Sequence, residues 1–296
     1  MQDINPGGIT IDPVLLPVFE LKELTVSMLR LDKLHPVISG NKWFKLRFYL
    51  EEAHAQGKKT LLTFGGAWSN HIHATAAACR IHHLDAIGII RGEEAAELSP
   101  TLRQAREMGM QLRFISRGQY REKWIPDDIA ISNCLIVGEG GYGKPGAAGA
   151  ATILDYANPH DYTHICCAMG TGTMLAGIMN RSPATVTCLG ISVLKNNPAL
   201  SGQVRALLAN PQQDPVIIPD YHFGGYAKQT PELIQFMNNF YRVTGIPTDF
   251  VYTGKLCYAI SALAGKNYFP PGSKILLIHS GGLQGNRSLD KGTLIF

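Results

Sequence analysis

Two short segments bring together residue types that could do chemistry: Ser39-Gly40-Asn41-Lys42 and Gly65-Gly66-Ala67-Trp68-Ser69-Asn70-His71. A lysine amine forms a Schiff base with a carbonyl compound, and a serine hydroxyl beside it can attack or relay protons. The first segment enters a periodic run, Trp43 to Gln56, which places Lys42 near a helix N-terminus, where positive charge is disfavoured. The second follows the strand-like Thr60-Leu61-Leu62-Thr63-Phe64 and leads into the alanine-rich run Ala74 to Ala78, giving strand, glycine turn and helix. A third segment repeats that pattern, with the apolar His164-Ile165-Cys166-Cys167-Ala168 preceding Met169-Gly170-Thr171-Gly172-Thr173-Met174. Small residues let backbone N–H groups close on an anion, threonine hydroxyls add donors, and a helix N-terminus favours negative charge. An anion cup and a separate lysine segment match the two ends of a cofactor that carries both phosphate and aldehyde. The competing reading of the cup is a tightly packed turn. The loop at 170 to 175 fits neither GxxxxGK[ST] nor GxGxxG, so a nucleotide loop lacks support there.

The elements that must position these segments alternate. Periodic runs at Trp43 to Gln56, Ile72 to His82, Thr101 to Met108 and Gly146 to Tyr156 are helix candidates. Apolar bursts at Thr60 to Phe64, Leu84 to Ile90, Gln111 to Ile115, His164 to Ala168, Val186 to Ile191 and Ile275 to Ile278 are strand candidates. Such interleaving predicts an α/β fold with open, largely parallel sheets and helices on their faces. The Gly-rich stretch from Gly138 to Gly146 marks the return from one domain to another, which gives residues 45–144 as a smaller inserted domain and 1–44 plus 145–296 as a larger one.

Composition narrows the class further. The 296 residues and 32.3 kDa suffice for two cores, and a formal charge of +4 without a long basic run argues against nucleic-acid binding. Cys79, Cys134, Cys166, Cys167, Cys188 and Cys257 form no CxxC pair and read as reduced, buried thiols of a cytoplasmic protein. The start, with Asp3, Pro6, Gly7 and Gly8, has no basic segment followed by an apolar one, and no window approaches a membrane span. His71 and His73 lie two apart and diverge on a helix, HExxH is missing, and no metal site is expected. Ser69 lacks the GxSxG elbow of many hydrolases.

Together with Gly225-Tyr226 and Val251-Tyr252-Thr253-Gly254-Lys255, these motifs resemble, in order and over most of the chain, fold type II pyridoxal-phosphate enzymes of the tryptophan synthase β type. The nearest branch is that of the 1-aminocyclopropane-1-carboxylate deaminases and D-cysteine desulfhydrases. The resemblance implies a two-domain homodimer with pyridoxal 5'-phosphate between the domains and a small amino acid as substrate. It assigns the cofactor to Lys42 as a Schiff base, to Asn70 at the ring oxygen, to Gly170, Thr171, Gly172 and Thr173 at the phosphate, and to Thr253 at the pyridine nitrogen. Ser69, Tyr226 and Tyr252 join Lys42 as catalytic residues, and Trp68, Asn70 and His71 complete the substrate side with Ser69 and the tyrosines.

Three positions depart within the family. Trp68 stands where glutamine is common. Thr253 stands where the deaminases typically have glutamate and the desulfhydrases threonine, which favours β elimination of D-cysteine over ring opening, because a neutral hydroxyl strengthens the electron sink less than a carboxylate. Met174 replaces a common threonine and leaves more of the phosphate contact to Thr173. Alternative readings are an aminocyclopropane carboxylate deaminase, an amino-acid racemase and a non-catalytic cofactor-binding protein. Without the resemblance, Lys42 reads as a solvated helix residue, Ser69 and Asn70 as caps, and the tyrosines as packed rings. Lys45, on the same helical face as Lys42, reads as structural.

Overall fold

The computed structural model describes residues 6–35 and 37–296, so Asp3 lies outside the described residues. The chain opens with β1 (Ile11–Pro13), α1 (Pro17–Leu21), β2 (Thr25–Arg30) and α2 (Asn41–Ala55). It continues through β3 (Thr60–Gly65), α3 (Asn70–Ile81), β4 (Asp85–Arg91), α4 (Pro100–Glu107), β5 (Met110–Ile115), α5 (Arg117–Arg121) and β6 (Cys134–Val137). Then follow α6 (Lys144–Ala151), β7 (His164–Met169), α7 (Thr173–Arg181), β8 (Thr187–Ser192), α8 (Leu200–Arg205) and β9 (Val216–Ile218). The last elements are α9 (Pro231–Thr244), α10 (Thr253–Gly265) and β10 (Lys274–His279).

These strands form two sheets, one in the order β1-β2-β10-β7-β8-β9 and one in the order β5-β4-β3-β6. Only the edge pair β1 and β2 is antiparallel. Helices cover the sheets, so central strands are apolar on both faces: β3 is buried at every residue, and Ile165, Cys166, Cys167, Ile275 and Leu277 are fully buried. All strands between residues 60 and 137 belong to the four-stranded sheet, and α2, α6 and α7 pack in succession between it and the larger sheet's elements. The six cysteines are buried and free. No helix among the described residues is long and apolar enough to cross a membrane.

The expected helices and strands form within a residue or two of their predicted ends, with one difference. The run Gly146 to Tyr156 is α-helical only to Ala151 and tightens into a 3-10 turn over Thr152–Tyr156, where the Thr152 hydroxyl donates back to the Gly149 carbonyl at 2.7 Å. Such back-bonding competes with the helical ladder. The short edge strands β1, β6 and β9 carry too few residues to announce themselves by alternation.

Candidate active site

Parallel strands deliver their C-terminal ends to one side, and there a cavity of about 710 Å³ opens between the two sheets. Its wall takes Gly66 to His71 after β3, Arg91 at the end of β4, Arg117 beyond β5, Glu139 and Gly140 after β6, and Met169 to Gly172 after β7. Helix α2 contributes Asn41, Lys42 and Lys45, and Tyr226, in the loop after β9, and Tyr252, just before α10, close it.

Lys42 is the second residue of α2, and its seat depends on close backbone approach. Gly40, at φ 68°, lies so near the end of β10 that a Cβ there would sit 1.9 Å from the Ser280 carbonyl oxygen, which accepts from the Asn41 N–H at 3.2 Å. Glycine is the residue that tolerates both conditions. The Lys42 amine donates to Asn41 Oδ1 at 2.7 Å and lies 5.7 Å from the centre of the Tyr252 ring. Burial lowers its pKa to about 8, against an opposing pull from the Asp249 carboxylate. An amine so depressed spends more of its time as the neutral nucleophile.

Lys45 joins it. One turn on, buried, it lines the same cavity and donates only to the Gly140 carbonyl at 3.3 Å. Burial first, and then the Lys42 charge, push its pKa well below the usual lysine value. The sequence marks Lys45 as structural; its position shows a second amine lining the same cavity as the cup, and the i, i+3 spacing from Lys42 was the available signal. The two lysines face a cavity whose only carboxylate among the described lining residues, Glu139, is paired with Lys123 at 2.8 Å.

The cup is the loop between β7 and α7. Gly172 caps α7 at φ 78°, and Gly170, Thr171 and Gly172 line the cavity. Thr173 is fully buried behind the wall, with its hydroxyl 2.9 Å from that of Thr171, while Met174 reaches the cavity and accepts from Asn41 Nδ2 at 3.2 Å. Thr173 thus stands behind Thr171, outside the residues that line the cavity.

On the opposite wall Ser69 caps α3, accepting from the Ile72 N–H at 3.3 Å, and still faces the cavity. Asn70 is buried, and its Oδ1 has no hydrogen-bond partner. His71 has a defined tautomer. The Thr63 hydroxyl donates to the Val137 carbonyl at 2.9 Å, so at the 2.8 Å contact between Thr63 and His71 the imidazole Nε2 must be the donor. That leaves the His71 Nδ1 lone pair buried and unpartnered, on a ring held neutral by burial and by both lysines. His73 diverges, with Nε2 3.0 Å from Gln104 Oε1.

Tyr226 and Tyr252 meet edge to face, ring centres 6.1 Å apart. Tyr226 is 40 % exposed at the rim, and burial raises both pKa values, that of Tyr252 strongly. Both keep their protons and act as donors. Trp68 stands at the rim. Thr253 opens α10, fully buried and outside the residues that line the cavity, with a hydroxyl that makes no hydrogen bond. Asp249, which the sequence left unmarked, binds this helix start together by accepting from the Val251, Tyr252 and Thr253 N–H groups at 3.0, 2.8 and 2.8 Å. Its signal was an aspartate shortly before an apolar helical run.

The orphaned Asn70 and Thr253 oxygens, the glycine cup and two lysines without carboxylates fit a ligand with a phosphate, an aldehyde and a polar ring. Residues 15–281 match the model of the family described as "Pyridoxal-phosphate dependent enzyme". This chain belongs to that family. Within it, a putative 1-aminocyclopropane-1-carboxylate deaminase of Pyrococcus abyssi is 30 % identical over 84 % of this chain and 81 % of its own length. A bifunctional D-cysteine desulfhydrase/1-aminocyclopropane-1-carboxylate deaminase, mitochondrial, of Arabidopsis thaliana is also 30 % identical, over 84 % of this chain and 70 % of its own. A crystal structure titled as an ACC deaminase homologue superimposes with a TM-score of 0.82 at 27 % identity, covering 96 % of this chain and 92 % of that one. The protein is thus a fold type II pyridoxal-phosphate enzyme of the deaminase and desulfhydrase branch, with pyridoxal phosphate as cofactor and an amino-acid-like substrate.

Proposed function

We propose that this enzyme eliminates the β substituent of D-cysteine or a related small D-amino acid, releasing a 2-oxo acid, ammonia and the leaving group. Bound pyridoxal phosphate supplies the conjugated electron sink that makes the substrate's α proton removable. Lys42 holds the cofactor aldehyde; the Gly170 to Gly172 backbone, with Lys45 behind it, holds the phosphate. Asn70 meets the ring oxygen, and the Thr253 hydroxyl turns to the ring nitrogen. Ser69, anchored as a helix cap, and the two protonated tyrosines hold the substrate and move protons at its α and β atoms, with Lys42 as the base once its amine is freed. We also assign residues 45–144 to an inserted domain against 1–44 plus 145–296, a homodimer to the native state, and the cytoplasm to a chain with six buried thiols.

One observation supports elimination over ring opening: among the described residues the single cavity-lining carboxylate, Glu139, is engaged by Lys123, and the buried Asp249 is engaged by three backbone N–H groups, so the neutral Thr253 hydroxyl is left to meet the ring nitrogen. A weaker sink suits loss of a thiolate, a better leaving group than a ring carbon. The second reading is deamination of 1-aminocyclopropane-1-carboxylate to 2-oxobutanoate and ammonia, and the names of most relatives favour it. Measuring pyruvate, sulfide and 2-oxobutanoate from D-cysteine, L-cysteine and the cyclopropane substrate decides between them. Sulfide and pyruvate from D-cysteine in excess over 2-oxobutanoate is the expected result. Faster ring opening would install the second reading, and racemisation without product would remove both.

A further inference from the structure

A second cavity of about 330 Å³ adjoins the first and shares part of its lining. Trp68, Asn70, Tyr226 and Tyr252 belong to both, so the two spaces meet at the residues assigned to the substrate. Of the lining it does not share with the first, Phe250, Val251, Leu289 and Gly285 are apolar, and Gln229 and Ser288 are polar. Phe250 and Val251 belong to a packed apolar cluster with Leu233 and Met237, against which Leu289 also rests, so these walls are supported from behind. Gly285 is buried in a 3-10 turn at a φ that any residue adopts, and a Cβ built on it meets no heavy atom within 4 Å. The space is therefore real room beside a fixed wall.

The side chain of cysteine, a methylene and a thiol, cannot fill such a pocket. We propose that this pocket receives the substrate's side chain, and that the range of substrates extends beyond D-cysteine to α-amino acids with a bulky apolar β substituent, an arylmethyl or alkyl thioether above all, which bind more tightly than small ones. The assignment rests on the proposed site for the substrate's α carbon beside Asn70 and the tyrosine pair. For a thioether the balance is RSCH2CH(NH3+)COO− + H2O → RSH + CH3COCOO− + NH4+. The Cβ–S bond breaks with its electron pair on sulfur, the thiolate takes a proton, and water supplies the oxo oxygen. Removing the apolar side chain from water supplies binding that a small side chain forgoes, and one well-fitted group in such a pocket is worth ten-fold or more.

The test uses the holoenzyme and two probes that have no leaving group, alanine and phenylalanine, each as both enantiomers, with binding read from the change in cofactor absorption and by calorimetry. Phenylalanine of the accepted hand should bind at least ten-fold more tightly than alanine. Gly285→Leu should reduce that preference to less than two-fold by filling the pocket, and Leu289→Trp provides the same block from the other wall should the first variant fail to fold. Equal binding of the two probes, or a preference unchanged in a folded variant, overturns the proposal. Pyruvate release from D-cysteine and S-benzyl-D-cysteine is read separately: a phenylalanine preference with no pyruvate from either sinks the elimination reading and leaves the pocket standing.

Discussion

Lys42 sits in a place that withholds its charge. Its pKa of about 8 means that the neutral amine gains ground as pH rises through 8, whereas a solvated lysine would remain protonated until near 10.5. The rate at which cofactor-free protein takes up pyridoxal phosphate should therefore rise with pH around a midpoint near 8; stopped-flow absorbance checks it, and a midpoint near 10.5 would show a solvated amine. Thr253 gives a second residue-level expectation. Its hydroxyl is buried without a partner, so the isosteric Thr253→Val should leave the cofactor-free protein as stable or more so, while weakening cofactor retention by roughly two- to ten-fold, the worth of one neutral hydrogen bond. Dialysis against a cofactor trap, compared with thermal unfolding, separates the two effects; unaltered retention would place the hydroxyl away from the ring. Thr253→Glu is a poorer probe, because it would bury a second carboxylate beside Asp249. The cavity-lining positions of Lys42, Ser69 and Asn70 were legible because Lys42 opens a helix after a glycine and Ser69 and Asn70 stand at a strand-turn-helix junction. The cavity-facing role of Lys45 and the helix-binding role of Asp249 were not, since a buried ion's setting depends on burial and neighbours contributed by distant parts of the chain.

At the level of elements, the turn Gly66 to Ser69 performs two tasks with one side chain. Ser69→Ala removes the cap of α3, at a cost of about 1 kcal/mol, and also removes the hydroxyl from the cavity. Ser69→Asn, an equally good cap, should restore the melting temperature without restoring turnover. Turnover returning with the cap would reduce Ser69 to a structural residue. The helices and parallel strands that carry the site could be read from pattern because burial on both faces writes long apolar runs, as in β3 and β7. The pairing order could not, because β2 and β10 lie side by side only through crossovers that no local period records.

The whole molecule places the turn after β3 and the loop after β7 on opposite walls of one cavity, each rooted in a different sheet. Saturating cofactor should slow amide exchange in both Gly66 to His71 and Met169 to Thr173, and ligand at a hundred times its Kd stabilises the native state by about 2.7 kcal/mol. Hydrogen-exchange mass spectrometry reads this directly, and protection confined to one wall would contradict a shared ligand. The contact of Gly40 with Ser280 has a consequence for biosynthesis. β2 gains its inner neighbour only when β10 has been made, and the backbone that fixes the start of α2 leans on the residue just after β10. A nascent chain leaving the ribosome thus exposes Lys42 long before the partner for its seat has been translated, with the edge of β2 open meanwhile to wrong pairings. Cofactor capture belongs to the released polypeptide: the lysine is made early and seated last.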